Sequence, residues 1–217
     1  MKMKKKRFWI AIGFLVAFVV WTVLVRFVDV CAIGPRGSEV GFATLNGAFH
    51  KLTGTNMLLY TITDWLGLVP IFVAFGFAIF GLWQWIKRRS FFKVDRSLLV
   101  LGGCYLLVMA VYIFFEFVVI NRRPVLIEGV LEASYPSSTT MLVMCVIPTA
   151  MLQWNARIKN KVFRRCIFSA GALFTVFMVL GRLISGVHWL TDILGGALFS
   201  AGVVLLYHWG AFNRESF

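Results

Sequence analysis

The segment "GRLISGVHWLTD" spaces an arginine, a histidine and an aspartate in a way that could perform phosphate chemistry. His188 and Asp192 are four residues apart, so they share one face of a helix that begins just ahead of them. A carboxylate at that spacing accepts a hydrogen bond from one imidazole nitrogen and leaves the other free as a nucleophile or base. Arg182 lies six residues before His188, a spacing that would put the two side chains on different faces of a continuous helix. We therefore expect Gly186 to break the helix, so that Arg182 faces His188 across a tight turn.

Each of these residues, taken alone, has a simpler explanation. Arg182 could reach toward lipid head groups, and His188 could lie at a membrane surface. Ionisable groups are costly in a membrane, however, at about 2.5–3.5 kcal/mol each at the bilayer centre. Three such groups in one hairpin therefore favour a functional site.

The segment "SYPSSTT" has the residues of an anion-binding helix N-terminus. Ser137 and Ser138 follow a proline, and serine is a common cap of the first helical turn. Free backbone N–H groups and the helix dipole favour an anion there. An ordinary capped membrane helix would carry the same pattern. Upstream, Arg123 precedes Pro124 and offers a planar fork for phosphate oxygens, whereas Arg122 fits a contact with solvent or head groups.

The composition indicates a membrane protein. The chain has 217 residues, 60% of them hydrophobic, where a soluble domain is nearer half apolar, and its mean hydropathy is +0.85. The net charge of +13 comes from short clusters between apolar runs, so we expect no nucleic-acid-binding face. The four cysteines form no CxxC pair and no metal-ligand spacing, which predicts neither a disulfide framework nor a metal site.

Apolar segments predict an all-α, polytopic membrane protein that forms a single domain over residues 1–217. A helix needs about 20 apolar residues to cross a bilayer. Six segments are predicted as transmembrane helices, at roughly 8–28, 66–86, 97–119, 138–154, 163–181 and 188–209. The fourth is the weakest, because it contains Pro148 and ends at Gln153. In the long connection before the second segment, "SEVGFATLNGAFHKL" predicts a short helix at the membrane surface.

The distribution of lysine and arginine predicts the orientation. Five positive residues lie in each of "MKMKKKR", "KRRSFFKVDR" and "RIKNKVFRR", whereas the connections 29–65 and 120–137 hold two each. Positive residues accumulate on the cytoplasmic side. We therefore expect both termini in the cytoplasm and the two polar segments on the extracytoplasmic face, with the first helix as an uncleaved anchor in a bacterial cytoplasmic membrane.

The polar segments resemble the motifs of the type 2 phosphatidic acid phosphatase superfamily, membrane lipid phosphatases that share a helical core with vanadium haloperoxidases. That family carries K-x6-R-P, then P-S-G-H, then S-R-x5-H-x3-D. Here the third motif reads "GRLISGVHWLTD" and the second reads "PSST". The first ends in Arg123 and Pro124 but has Glu116 in place of its lysine. The resemblance spans about 116–192, and the six-helix frame extends it to nearly the whole chain.

The resemblance implies a role for each matching residue. His188 would be the nucleophile that takes the phosphoryl group, and Asp192 would orient it. The residues implied to bind phosphate are Arg123, Ser137, Ser138, Thr139 and Arg182. The family's phosphatases need no metal, so the resemblance implies no cofactor, and it implies a phosphorylated membrane lipid as the partner.

One expected catalytic group is missing. The family's second histidine, which protonates the leaving group, falls at Thr139, and threonine cannot act as an acid near neutral pH. Glu116 replaces a cation and would either repel phosphate or pair with an arginine. Glu128 or Glu132 could replace the acid if the fold buries its carboxyl group.

The missing acid bears on the substrate. A lipid phosphomonoester must expel an alkoxide, whose conjugate acid is about as weak as water, with a pKa of about 15.7. A lipid diphosphate expels a phosphate monoester, whose second pKa is about 6, so it depends less on an acid. The sequence therefore favours an isoprenoid diphosphate phosphatase. The alternative is a catalytically impaired relative that binds phosphorylated lipid as a carrier, sensor or partner protein; a transporter has less support, because no central helix carries a charge relay.

Overall fold

The computed structural model describes residues 2–212, with side chains from Lys5 onward, and its regular structure is helical. The α-helices of this part of the chain are α1 (Lys2–Phe27), α2 (Ala43–Thr53), α3 (Met57–Leu66), α4 (Leu68–Arg88), α5 (Arg96–Phe117), α6 (Ser138–Arg157), α7 (Lys161–Ile184) and α8 (Leu190–Phe212). The short helix expected between the first two apolar segments is α2. Most predicted bounds lie within a few residues of the observed ones.

Within the described residues, five apolar stretches are long enough to cross a membrane, and they coincide with α1, α3 plus α4, α5, α7 and α8. Large apolar side chains such as Phe72 and Phe117 are exposed on these helices, as expected of surfaces that face lipid. The second stretch runs from Met57 to Arg88 and is longer than the predicted 66–86. Its earlier start has a local cause, because Asn56 caps α3 by accepting a hydrogen bond from the Leu59 amide at 2.9 Å.

The fourth predicted helix, α6, lies inside the bundle, where it packs against α4, α5, α7 and α8. It has 20 residues, enough to cross a bilayer, but its polar side chains keep its hydropathy low. Those side chains find partners within the protein: Thr149 bonds with Tyr105 at 3.1 Å, and Gln153 donates to the Ser97 carbonyl at 3.0 Å. Because α6 faces protein rather than lipid, its composition is less apolar than that of the other long helices. It is therefore not among the five apolar stretches, and the total of six membrane crossings stays a prediction.

Two glycines on α8 allow the loop that precedes α6 to pack closely against this helix. A Cβ atom on Gly195 would lie 2.6 Å from the ring of Tyr135, and one on Gly196 would lie 3.1 Å from the Ser137 carbonyl. Side chains at these two positions would push the loop away from α8. The two glycines therefore bring the "SYPSSTT" segment against the helix that carries Asp192.

Candidate active site

The turn between α7 and α8 places Arg182 and His188 at the same end of the bundle. Gly186 has a φ of +67°, in the left-handed region that favours glycine. A Cβ atom there would lie 1.8 Å from the carbonyl oxygen of Gly54, so the turn closes directly against that backbone. The amide of Asn56 also donates to the Ser185 carbonyl at 2.9 Å. The expected break at Gly186 is therefore present, and the α2–α3 connection holds it in place.

His188 is 3% exposed and lies just before α8. The expected helix start ahead of His188 is wrong, because α8 begins at Leu190 and the Trp189 amide donates instead to the Asp192 carboxylate, at 3.0 Å. His188 Nδ1 lies 3.7 Å from Asp192 Oδ2, an ion-pair distance longer than a hydrogen bond. Among the described residues, neither ring nitrogen of His188 has a hydrogen-bond partner.

The environment of His188 favours the neutral imidazole. Burial lowers the pKa of His188 well below its ordinary value of 6.5, and the nearby charges of Arg123 and Arg182 lower it further. A neutral imidazole has a nitrogen lone pair available, as a nucleophile requires.

Asn121 bonds the Asp192 carboxylate at the oxygen that the Trp189 amide does not contact, and it was not identified from the sequence. Its side-chain amide donates to Asp192 Oδ1 at 3.3 Å and to Thr191 Oγ1 at 3.3 Å, and its oxygen accepts from the Gly41 amide at 3.1 Å. Asn46 of α2 reaches the same hydroxyl of Thr191 at 2.9 Å. These buried amides fix the start of α8 against α2 and the segment just before it.

Arg182 is 2% exposed and connects two helices of the site. Its Nη2 atom donates to Thr139 Oγ1 at 2.7 Å and to Asp64 Oδ1 at 2.9 Å. Its Nε atom is buried and, within residues 5–212, has no hydrogen-bond partner. The ring of Tyr60 lies 4.8 Å from the guanidinium carbon. A buried cation with a free N–H group is suited to bind an anion.

Arg123 provides the second buried guanidinium, with 8% of its surface exposed. Its Nε atom lies 2.9 Å from Glu132 Oε2, in an ion pair that lacks hydrogen-bond geometry. Its Nη1 atom is also buried without a partner in the part of the chain that the structure describes. Tyr60 lies near this cation too, with its ring centre 5.9 Å from the guanidinium carbon.

Asp64 and Tyr60 were missed by the sequence analysis, which left residues 29–65 outside the site. Both belong to α3, and neither has a fixed spacing to the phosphatase-like motifs. The one available signal was a carboxylate, Asp64, immediately ahead of a predicted apolar helix.

The "SYPSSTT" segment forms the expected capped helix start. Ser137 caps α6, because its Oγ atom accepts from the amide of Thr140 at 3.4 Å and from the hydroxyl of the same residue at 3.0 Å. The Ser137 amide donates to the Asp192 carbonyl at 3.1 Å. Ser138 and Thr139 are the first helical residues, so their amides have no acceptor one turn back and are available to an anion. Because the Ser137 amide bonds to the Asp192 carbonyl, the start of α6 joins the "PSST" motif to the "GRLISGVHWLTD" motif.

Three further charged residues lie in or beside the connection between α5 and α6. Glu116 is exposed at the end of α5, and Glu128 is exposed in a turn with a φ of +49°. The expectation that Arg122 contacts solvent or head groups is incomplete, because its guanidinium donates to the Leu131 carbonyl at 3.0 Å. Its own carbonyl accepts from the Trp189 indole.

A pocket of about 470 Å³ opens onto these groups. Its lining includes Arg123, Ser138, His188, Glu116 and Glu132, with the rings of aromatic residues from α5. This volume is in the range of small-molecule sites. Among the described residues, no group of three or more His, Cys, Asp or Glu side chains could hold a metal ion.

Comparison with known proteins agrees with this arrangement. Residues 116–216 match the PAP2 superfamily. The fold is similar to the crystal structure of a transmembrane PAP2-type phosphatidylglycerolphosphate phosphatase from Bacillus subtilis, with a TM-score of 0.58 and 20% sequence identity over 93% of this chain and 94% of that one. A comparison with curated proteins finds no significant match.

The fold and its apolar helices are those of an integral membrane protein, with the architecture of a transmembrane PAP2-type phosphatase. The match of residues 116–216 to the PAP2 superfamily confirms the resemblance that the motifs of this segment carry.

Proposed function

We propose that the protein removes phosphate from a phosphorylated or diphosphorylated membrane lipid through a phosphohistidine intermediate on His188. The observation that carries the proposal is the position of His188 on a pocket wall, buried and without a hydrogen-bond partner among the described residues, with Arg123 beside it. The low pKa of His188, caused first by its burial, keeps its lone pair available at neutral pH.

The two guanidinium groups would bind the phosphoryl oxygens. Arg123 Nη1 and Arg182 Nε are buried donors without partners among the described residues, and a buried donor of this kind is costly unless a ligand satisfies it. Ser138 on the pocket wall and the free amides at the start of α6 would add further donors. Asp192 would orient His188 after a small movement closes the 3.7 Å gap.

We favour an isoprenoid diphosphate as the substrate. Thr139 accepts a hydrogen bond from Arg182, and a hydroxyl is too weak an acid to protonate an alkoxide. A diphosphate avoids this need, because its leaving group is a phosphate monoester. Glu128 lies away from the pocket lining, and Glu132 is the ionic partner of Arg123, so neither is placed as a free acid.

The charge pattern supports an orientation in which both termini are cytoplasmic. The connection before α3 and the connection after α5, which carries Arg123, would then face the extracytoplasmic side. The pocket would accept lipid head groups from the outer leaflet of a bacterial cytoplasmic membrane.

The second candidate is a relative that binds phosphorylated lipid without hydrolysing it. Its supporting observation is that both arginines already have carboxylate partners, Asp64 and Glu132, in a site without the family's acid histidine. Such a site could hold a phosphate but turn it over poorly.

Phosphate release by the purified protein would separate the two candidates. The substrates would be a polyprenyl diphosphate, phosphatidic acid and phosphatidylglycerolphosphate, each with wild type and His188→Ala. Release from the diphosphate that is abolished in His188→Ala supports the phosphatase, and faster release from phosphatidic acid would overturn the diphosphate preference. Lipid binding without release, weakened by Arg182→Ala, would establish the binding protein.

A further inference from the structure

The proposed reaction needs a base in its second half. When His188 attacks the terminal phosphorus of a lipid diphosphate, a P–N bond forms and a P–O bond breaks, and the lipid leaves as its monophosphate. Water must then attack the phosphohistidine, so that an O–P bond forms, the P–N bond breaks and the water loses a proton. A base that accepts this proton accelerates such a step, by about 10²–10⁴-fold. Thr139, which stands where the family has its histidine, is a poor proton acceptor.

A carboxylate from another helix lies beside this position. Arg182 Nη2 is 2.7 Å from Thr139 Oγ1 and 2.9 Å from Asp64 Oδ1, so the hydroxyl and the carboxylate contact the same nitrogen atom. Asp64 comes from α3 and reaches the site because the α7–α8 turn packs against the connection that ends at Asn56. The Asp64 carboxylate therefore lies next to the side chain that replaces the histidine.

The surroundings of Asp64 suit a base that acts on water. Its side chain is 55% exposed, whereas that of Arg182 is 2% exposed, so the carboxylate lies at the open edge of the buried cations. Within the described part of the chain, hydrogen bonds to this carboxylate involve Oδ1 alone, so Oδ2 remains available to a water molecule. An ionised carboxylate only accepts hydrogen bonds, as a base requires.

We propose that Asp64 is the general base that takes a proton from the hydrolytic water in the second half of the reaction. The inference rests on the proposed phosphohistidine mechanism. Asp64 would accept the proton, the P–N bond would break to regenerate neutral His188, and inorganic phosphate would leave. The proton then passes from Asp64 to solvent through its exposed side.

Other carboxylates near the site are placed less favourably. Asp192 is fully buried and already accepts from the Trp189 amide and from Asn121. Glu132 pairs with Arg123, as Asp64 pairs with Arg182, so the two carboxylates differ in which arginine they contact, and Arg182 is the one that bonds Thr139. Among the hydrogen bonds of the described residues, none joins Glu132 to Thr139 or Arg182.

The experiment follows the label of a polyprenyl diphosphate whose terminal phosphate is radioactive. Wild type, Asp64→Asn and His188→Ala are mixed with substrate in detergent and quenched at alkaline pH, which preserves phosphohistidine. Asparagine has the shape of aspartate and still accepts a hydrogen bond from Arg182, but it cannot take a proton. We expect Asp64→Asn to accumulate labelled protein and to release phosphate at least about 100-fold more slowly. His188→Ala should carry no label, and Glu39→Gln, which changes an exposed carboxylate outside the site, should behave as wild type.

A rescue variant tests the role of the base directly. The double variant Asp64→Asn/Thr139→His restores a basic side chain at the family position and should recover release. Release from Asp64→Asn at the wild-type rate would overturn the proposal. Absence of label in a folded Asp64→Asn protein would also overturn it, because Asp64 would then only position Arg182. Absence of both label and release in wild type would instead mean that the proposed function itself has failed.

Discussion

His188 Nδ1 lies 3.7 Å from Asp192 Oδ2, and the two side chains are almost completely buried. The carboxylate is fixed from both sides, since Oδ2 accepts from the Trp189 amide and Oδ1 from Asn121. The imidazole is less constrained, because neither of its nitrogens is bonded to a described residue. A small movement of the ring toward a rigid carboxylate would therefore complete the pair when substrate arrives.

Asp192→Asn should lower kcat for phosphate release by at least about 100-fold with little change in KM. The amide keeps the shape of the carboxylate but loses the charge that stabilises the reacting imidazole, and an equivalent change in a catalytic triad costs about 10⁴ in kcat. Phosphate release at saturating substrate is the measurement. An undiminished kcat would mean that Asp192 only caps α8. Asn121→Leu, which acts through Asp192, should cost less, at about 10–100-fold.

The activity should persist at acidic pH. Burial, followed by the charges of Arg123 and Arg182, lowers the pKa of His188 well below 6.5, so the proposed nucleophile stays unprotonated where an ordinary histidine becomes charged. The acidic limb of a plot of kcat/KM against pH should therefore lie below pH 6.5. A limb centred at or above pH 6.5 would contradict a neutral buried His188 in the free enzyme.

The same group should make stability depend on pH. Since the folded pKa of His188 is depressed, the unfolded chain binds more protons below about pH 6.5. The contribution of His188 is thus fully present above pH 6.5 and is lost as the pH falls. The thermal unfolding midpoint of wild type should fall between pH 7 and pH 5 by more than that of His188→Asn. Equal falls in the two proteins would show that the depressed pKa is not linked to folding.

The sequence predicts the parts of the site that depend on local spacing. The interval from Arg182 to Asp192, with a glycine break between them, contains the whole hairpin. In the structure His188 lies 3.7 Å from Asp192, and Arg182 is near enough for its charge to lower the pKa of His188. The start of α8 was predicted too early because the cap of that helix is the carboxylate of Asp192, a side chain expected to serve only His188.

The contacts that the sequence analysis missed come from packing between distant segments. Tyr60 and Asp64 meet Arg182 across more than a hundred residues, and Asn121 meets Asp192 across seventy-one. The spacing of apolar residues along the sequence does not predict contacts between segments so far apart. The apolar pattern of α6 was weak because this helix packs against other helices. Its polar side chains form hydrogen bonds with those helices inside the bundle.

Arg182→Lys should lower kcat/KM by about 10- to 100-fold. A hydrogen bond to a charged group contributes about 1.5–3 kcal/mol, and a lysine ammonium cannot reproduce the planar contact with Thr139, Asp64 and phosphate together. Phosphate release over a range of substrate concentrations measures the effect. Arg36→Lys is the matched control, since Arg36 is exposed and donates to the Gly129 carbonyl away from the pocket. A loss of similar size in both variants would show that the effect is not specific to the site.

Gly186→Ala should both destabilise the fold and inactivate the site. A residue with a side chain at φ +67° is strained by about 1–3 kcal/mol, and its Cβ would lie 1.8 Å from the Gly54 carbonyl, so the turn must move. Movement of the turn separates Arg182 from His188. We expect a loss of about 3 kcal/mol or more, equivalent to about 6–12 °C in Tm, together with loss of phosphate release. Gly129→Ala separates strain from collision, because Gly129 has a φ of +79° but no atom within 4 Å of the added Cβ. That control should lose only the cost of the strain and keep its activity, and an equally large loss of Tm in both variants would contradict the close approach at Gly54.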